Sequence, residues 1–385
     1  MSKFDELVRE LCPDGVDAIS LGEAESCGMV TMGRGKVISK QTLEESPGNY
    51  PVYSSSAAGT GEFGRYGEFM FEDERITWSI DGGGKFFYRP EHRYSVTNVS
   101  GWMTSDSTVL SLKFLYQSLI SQWEREEFDY TRKAHPSVIR EVYTIPLPPL
   151  EVQKEIVRIL DQFAELDREL EQEIAGRTAQ FDRLREDLLS DENYPPVPVG
   201  NLAARVSTGA TPKASEARYY QGGDIPWLRT GEVNFGEIWE TEKLITQTAL
   251  DETNVSWIAE NCVVVAISGA TAGRVAVNKI PMTTNQHCCN MQIDPEMANY
   301  RFVFHALASS YEEMKAQGRG ARGDLNISLI KGFPIPLPPL EVQEEIANKL
   351  DTFTEYVDNL KRERELRQKQ YEYYRDQLLD FPVKE

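Results

Sequence analysis

Several groupings in this chain of 385 residues have the side chains that chemistry requires, and each makes a demand on the elements around it. Gly59, Gly61 and Gly64 stand in a Gly-x-Gly-x-x-Gly pattern, with Asp81 twenty residues after Gly61. That is the spacing of a dinucleotide-binding turn, in which a helix opens behind the glycines and meets the pyrophosphate. The segment behind these glycines, RYGEFMFEDERITWSI, has no helical seam, so a glycine-rich turn is expected instead. His287, Cys288 and Cys289 have metal-ligating chemistry, but adjacent residues in a strand point to opposite faces. Asn193, Tyr194, Pro195 and Pro196 hold the residues of an Asn-Pro-Pro-Tyr methyl-transfer motif in the wrong order and in a linker. No GxxxxGK phosphate loop and no HExxH pair occurs. The sequence therefore reads as a binding protein without its own catalytic centre.

Composition narrows the class. Hydrophobic residues make up 40% and charged residues 26%, which fits a folded globular chain. At this length two or three units are expected. The longest apolar run, residues 262–267, is far too short to span a membrane. The acidic start, MSKFDELVREL, is unlike a signal peptide, and a cytoplasmic protein is expected. Five cysteines with no CxxC pair argue against a disulfide framework and a zinc ribbon. The net charge is −20, yet residues 145–194 and 334–385 carry −7 and −4 of it. The longer segments are less skewed and can hold basic faces.

The positioning elements show in an internal repeat. IPLPPLEVQ occurs at residues 145–153 and again at 335–343. Over 145–190 and 335–380 the offset stays at 190, with 22 identities in 46 positions. The preceding blocks match more faintly. YPVYSSS at 50–56 pairs with IPWLRTG at 225–231, and ITWSIDGGGKF from Ile76 pairs with VVVAISGATAGRV from Val263. Lys85 then pairs with Arg274, Thr97-Asn98 with Thr284-Asn285, and Arg132 with Arg322.

After each leader, apolar residues recur at spacings of three, four and seven. They are Ile156, Leu160, Phe163, Leu166, Leu170, Ile174, Phe181, Leu184 and Leu188, then Ile346, Leu350, Phe353, Val357, Leu360, Tyr371, Tyr374 and Leu378. These are coiled-coil seams. The prolines fix where each helix begins, and about 40 residues give a rod of roughly 60 Å. One seam alone is unstable, so the two helices are expected to pack antiparallel, with a block at each end. The blocks show short β-branched and aromatic runs broken by Gly and Pro, which predicts mixed sheet with few helices, among them 112–127 and 300–316.

Two variable blocks, each followed by an I-P-L-P-P-L-E-x-Q leader and a long helix, resemble the specificity subunit of type I DNA restriction–modification enzymes. TGATP at 208–212, IPWLRTG, LNISLIKGFPIPLPPL from Leu325 and ELRQKQYEYYRDQLL from Glu365 strengthen the resemblance, which covers essentially the whole chain. It implies an α+β fold with two mixed α/β target recognition domains, separated by two long helices in an antiparallel coiled coil, as a pseudo-twofold repeat. The implied boundaries are 1–144 and 193–333 for the recognition domains, and 145–192 and 334–385 for the spacer helices. It also implies a non-catalytic reader of a split double-stranded DNA target, docked to two modification subunits that bind S-adenosylmethionine and methylate adenine. Restriction subunits would add ATP- and Mg-dependent translocation and cleavage, leaving this chain without a cofactor or metal. One departure is TRKAHPSVIR in the first block against ARGDLNISLIK in the second.

Side-chain chemistry then selects candidate DNA contacts. Arg reads guanine, and Lys, Arg, Ser and Thr position phosphates. In the first block these are Arg34, Lys36, Ser54, Ser55, Lys85, Arg132 and Lys133. In the second they are Thr208, Thr211, Lys213, Arg229, Thr230, Arg274, Arg319 and Arg322, the last two in the glycine-rich QGRGARGD. Asn98 and Asn285, repeated behind threonines, point to a shared turn. Trp78, Trp102, Trp227, Trp239 and Trp257 are expected in cores. The competing readings are a coiled-coil adaptor with two protein-binding ends, which net acidity favours, and a stand-alone methyltransferase, which the missing motifs disfavour.

Overall fold

A computed structural model describes residues 2–55, 59–129, 131–190, 193–318 and 324–384. The chain forms two compact units. Unit 1 comprises Met1–Glu171 and Arg362–Glu385, and unit 2 comprises Gln172–Lys361. The leaders run as short strands, Thr144–Leu147 and Pro334–Pro336, and the long helices begin just past the prolines, at Leu150–Leu189 and Leu340–Leu379. Unit 1 holds the start of the first long helix and the end of the second, and unit 2 holds the complementary parts.

In unit 1 the main sheet has the order Val30–Arg34, Ser100–Ser105, Arg75–Ser79, Phe86–Arg89, antiparallel throughout. A smaller sheet places Tyr50–Tyr53 between Glu62–Tyr66 and, in parallel, Ser95–Val96. Gly61 therefore precedes a strand and Gly64 lies within it, as the absence of a helical seam predicts. In unit 2 the main sheet has the order Ala203–Thr208, Cys288–Ile293, Val263–Ala266, Val275–Asn278, Glu237–Ile238. Its companion sheet sets Ile225–Leu228 in parallel with Met282–Thr284. Val263–Ala266 forms a central strand because it is β-branched and buried on both faces.

Within each unit the long helices meet antiparallel. In unit 1 Phe163 packs on Tyr371 and Tyr374, at ring distances of 6.3 and 5.7 Å, while Asp167 accepts two bonds from Arg364 at 2.9 and 3.1 Å. In unit 2 Glu173 accepts from the Tyr356 hydroxyl at 3.0 Å, and Phe181 packs on Phe353 at 5.6 Å. Rising numbers on one helix thus meet falling numbers on the other.

Four expectations need correction. The seam spacing includes Leu166 and Tyr374, but each is 42% exposed, because two helices bury only a narrow stripe. Beside them Arg375 is 2% exposed, held by both oxygens of Glu124 at 3.1 and 2.7 Å. The 112–127 helix ends at Trp123, and the 300–316 helix breaks at Ser310 into Tyr300–Ser309 and Tyr311–Ala316. Trp78 and Trp227 are core residues, whereas Trp239 and Trp257 are 61% and 41% exposed.

Candidate nucleic-acid interface

The candidate residues of unit 1 come together because neighbouring strands of an antiparallel sheet turn at a common end. Arg34 closes its strand, Ser79 closes the next but one, Lys85 immediately precedes Phe86–Arg89, and Ser54 and Ser55 come directly after Tyr50–Tyr53. Hydrogen bonds join these ends. The Arg34 guanidinium donates to the Asn98 carbonyl at 3.1 and 2.6 Å. The Lys36 N–H donates to the Val96 carbonyl at 3.1 Å. The Ser54 and Thr97 hydroxyls lie 2.9 Å apart, and Ser79 Oγ donates to the Ser55 carbonyl at 2.6 Å. Lys133 reaches Asp81 at 3.0 Å, and Ala134 N–H donates to the Ile80 carbonyl at 3.1 Å. Arg132 pairs with Glu126 at 2.9 Å and lies over the Phe128 ring. The turn carrying it is organised by Asp129, whose carboxyl is held below its ordinary range by the Thr131 hydroxyl and the N–H groups of Arg132 and Thr131.

Unit 2 repeats this arrangement. Strand register gives the equivalences directly. Trp78 faces Phe86 as Val265 faces Val275, so Lys85 and Arg274 occupy one position, as the sequence pairing predicts. Ser79 N–H donates to the Lys85 carbonyl at 3.2 Å, and Ala266 N–H to that of Arg274 at 2.9 Å. Arg34 faces Gly101 as Thr208 faces Cys289. Tyr53 faces Val96 as Leu228 faces Thr284, which makes Ser54 and Ser55 the counterparts of Arg229 and Thr230. The same register corrects the Thr-Asn pairing by one residue. Thr97 and Asn285 are the equivalent donors, each with its N–H 2.9 Å from the carbonyl of Tyr53 or Leu228. Close backbone passage accompanies this turn in both units. A Cβ on Gly35 would stand 2.1 Å from the Val96 oxygen, and one on Gly209 would stand 1.7 Å from the Thr284 oxygen.

The cations of unit 2 are engaged by neighbouring groups. Arg229 pairs with Glu242 and lies 3.5 Å from Glu232. Arg274 donates to Asn234 at 2.9 Å, and Lys213 lies 3.6 Å from Glu216. Thr211 donates to Gln286, and the Thr230 carbonyl accepts from the Thr271 hydroxyl at 2.9 Å. Arg319 and Arg322 lie outside the described residues. Just beyond them, Leu325 N–H donates to the Ile267 carbonyl at 2.8 Å, matching Ala134 on Ile80. His135 and Asn326 are equivalent N-caps at an offset of 191, so the two loops differ in length yet enter the same short helix. Glu242, Asn234 and Gln286 went unrecognised because groups 13, 40 and 75 residues from Arg229, Arg274 and Thr211 carry no spacing signal, whereas Glu232, three residues after Arg229, was legible by spacing.

Burial pushes the Cys262 thiol up to about 11 and those of Cys288 and Cys289 to about 12, which leaves them protonated core residues. Among the described residues no cluster of His, Cys, Asp and Glu could hold a metal ion, and no helix is long and apolar enough to cross a membrane.

Two blocks of one topology, each ending in an equivalent polar loop cluster and each joined to stretches of the same two helices, define a tandem-repeat binding scaffold. The family model described as the type I restriction modification DNA specificity domain matches residues 26–176 and 193–367, and the chain belongs to that family. It is 30% identical over 298 residues to the Escherichia coli type I restriction enzyme EcoR124I/EcoR124II specificity subunit, covering 73% of each. It is 27% identical to a putative type I specificity subunit of Mycoplasma pneumoniae, over 90% of this chain and 94% of that one. The type I S subunit structure from M. genitalium has the same fold, with a TM-score of 0.60, 17% identity and 94% coverage of both chains. Specificity subunits are the non-catalytic, DNA-binding members of type I restriction–modification systems.

Proposed function

We propose that this chain reads a split, asymmetric DNA target, with residues 1–144 reading one half-site and 193–333 the other. The helices of 145–192 and 334–385 set the gap and receive two modification subunits, which bring S-adenosylmethionine and methylate adenine. Restriction subunits bring ATP and Mg, and the complex works in the cytoplasm. The observation that carries this reading is the equivalence of the two loop clusters. Arg34, Ser54 and Lys85 stand where Thr208, Arg229 and Arg274 stand, at one end of each main sheet. Conserved placement with different side chains suits two readers of different bases.

The acidic partners of these cations are compatible with DNA binding. Exposed ion pairs contribute about 0–1 kcal/mol, so a phosphate can replace the carboxylate at little cost. With a net charge of −20, the isolated chain should bind DNA weakly, and partner subunits should tighten binding and steepen its salt dependence. Methylome sequencing of a host with and without this chain tests the reading. A split adenine-methylation motif should vanish with the chain. An unchanged methylome would reject it and favour the adaptor reading, which the exposed Trp239 and Trp257 support.

A further inference from the structure

The leader glutamines make a joint that the DNA-reading role does not by itself explain. Gln153 and Gln343 lie in the first turns of the long helices, where a glutamine would ordinarily be solvated, yet they are 0% and 1% exposed. In unit 1 the Gln153 side-chain carbonyl accepts from Ser111 N–H at 2.9 Å. Its amide donates to the carbonyls of Pro148 at 2.8 Å and Val109 at 3.0 Å. In unit 2 Gln343 accepts from Asn299 N–H at 2.8 Å and donates to the Pro338 carbonyl at 2.7 Å. Ser111 and Asn299 are the N-caps of equivalent helices, Leu112–Trp123 and Tyr300–Ser309. Each glutamine therefore ties its block helix to its proline leader.

A second tie lies eight residues further on. Lys113 pairs with Asp161 at 2.6 Å, and Arg301 Nε donates to Asp351 at 2.9 Å. Eight residues are about 12 Å along a helix, and two attachments that far apart fix an angle where one would leave a pivot. Between them Ile156 and Leu160, or Ile346 and Leu350, are buried. The blocks differ around this joint, yet the bonds to the helix N-cap and to the leader proline are shared, and only the Gln153 bond to Val109 has no counterpart among the described residues.

From this geometry we infer that Gln153 and Gln343 are positioning residues, which hold each block at a set angle to the long helices and so restrict the complex to one gap between half-sites. The inference rests on the DNA-reading function above. The two joints are unequal. Asp161 is 49% exposed and, among the described residues, is bonded by Lys113 alone on this tie, whereas Asp351 is also bonded by His305 at 2.7 Å. Unit 1 thus depends more on its glutamine.

The test uses the complex assembled with its modification subunits and DNA in which both half-sites are fixed and the gap varies by single base pairs. The native complex should methylate one gap. Gln153→Met, which removes all three side-chain bonds, should raise methylation of gaps one pair shorter or longer by at least about tenfold, the scale of a single lost hydrogen bond, with both half-sites unchanged. Gln343→Met should have a smaller effect. Asp161→Asn, at a half-exposed position where substitution costs little stability, should broaden the gap by itself and add to Gln153→Met. If Gln153→Met does not fold, Asp161→Asn decides. Variants confined to the native gap would overturn the inference and leave the glutamines as packing. A native complex that methylates no split target would instead reject the underlying reading.

Discussion

Unit 1 and unit 2 have one strand plan with different interiors. Between the two sheets of unit 1, Arg89 is buried against the Tyr53 ring at 3.6 Å and donates to the Thr77 hydroxyl at 2.9 Å, while Arg75 lies over Phe71 and Trp102. By strand register the matching positions in unit 2 are Asn278 for Arg89, Val264 for Thr77 and Leu228 for Tyr53. That interior is aliphatic, built from Val264, Ala266, Ala276, Met282 and Cys288. Desolvation lowers the pKa of Arg89, and ring faces and a hydroxyl offset the burial where Asn278 uses neutral amide bonds. The plan therefore lies in backbone pairing, and different side-chain solutions satisfy it.

The largest effects come from treating the units as interchangeable. Exchanging residues 195–333 for a foreign block should replace one half-site completely and keep the gap, whereas four residues inserted near Gly176 add roughly 5–6 Å of helix and should lengthen the gap by one or two base pairs. Methylation mapping reads both, and an altered half-site after the insertion would break the division between reader and spacer. Next is Gly101→Cys, which installs the unit 2 residue, Cys289, at its unit 1 position. A Cβ there would stand 2.1 Å from the Trp78 ring, so unit 1 should lose about 3 kcal/mol or more by denaturant titration.

A smaller difference is pH dependence. Burial works against the charge on Asp351, but hydrogen bonds from His305 and Arg301 outweigh it and hold the carboxyl at about 2. A depressed carboxylate contributes stability that is full above its unfolded pKa, near 4, and is lost as pH falls towards 2. Asp351→Asn should remove about 2 kcal/mol at pH 7 and flatten the acid limb between pH 4 and 2 in unfolding titrations. The smallest effect sharpens the equivalence itself. Lys85→Ala and Arg274→Ala should each reduce the log K against log salt slope by about one. A change at one base position instead would make that residue a base reader and separate the two sites.

Much of this was legible because duplication writes a pattern twice. The leader, the two long helices and the Lys85–Arg274 equivalence come from matched order and spacing. The one-residue error at Thr97 arose because identity alone aligned Thr-Asn with Thr-Asn, and only parallel pairing with Tyr53 and Leu228 sets the register. The exposure of Trp239 and Trp257 was illegible because Trp257 lies on a two-residue strand at a sheet margin and Trp239 just past another, where one side stays open. The role of Gln153 was hidden in plain view. A polar residue in an acidic first helical turn looks solvated until the chain folds the Ser111 N–H onto it.

The carbonyls of Ser55 and Thr230 are each fixed by a hydroxyl, from Ser79 at the end of its strand and from Thr271 in the short helical turn Gly269–Thr271. Because the main chain of that loop is held at this carbonyl, its course does not rest on the side chain at 54 or 229 alone. A serine there in one unit and an arginine in the other occupy the same place in the loop. On the proposed DNA-reading function, descendants of this chain would renew their preference by substitutions at that position, faster than a lineage could evolve a new fold.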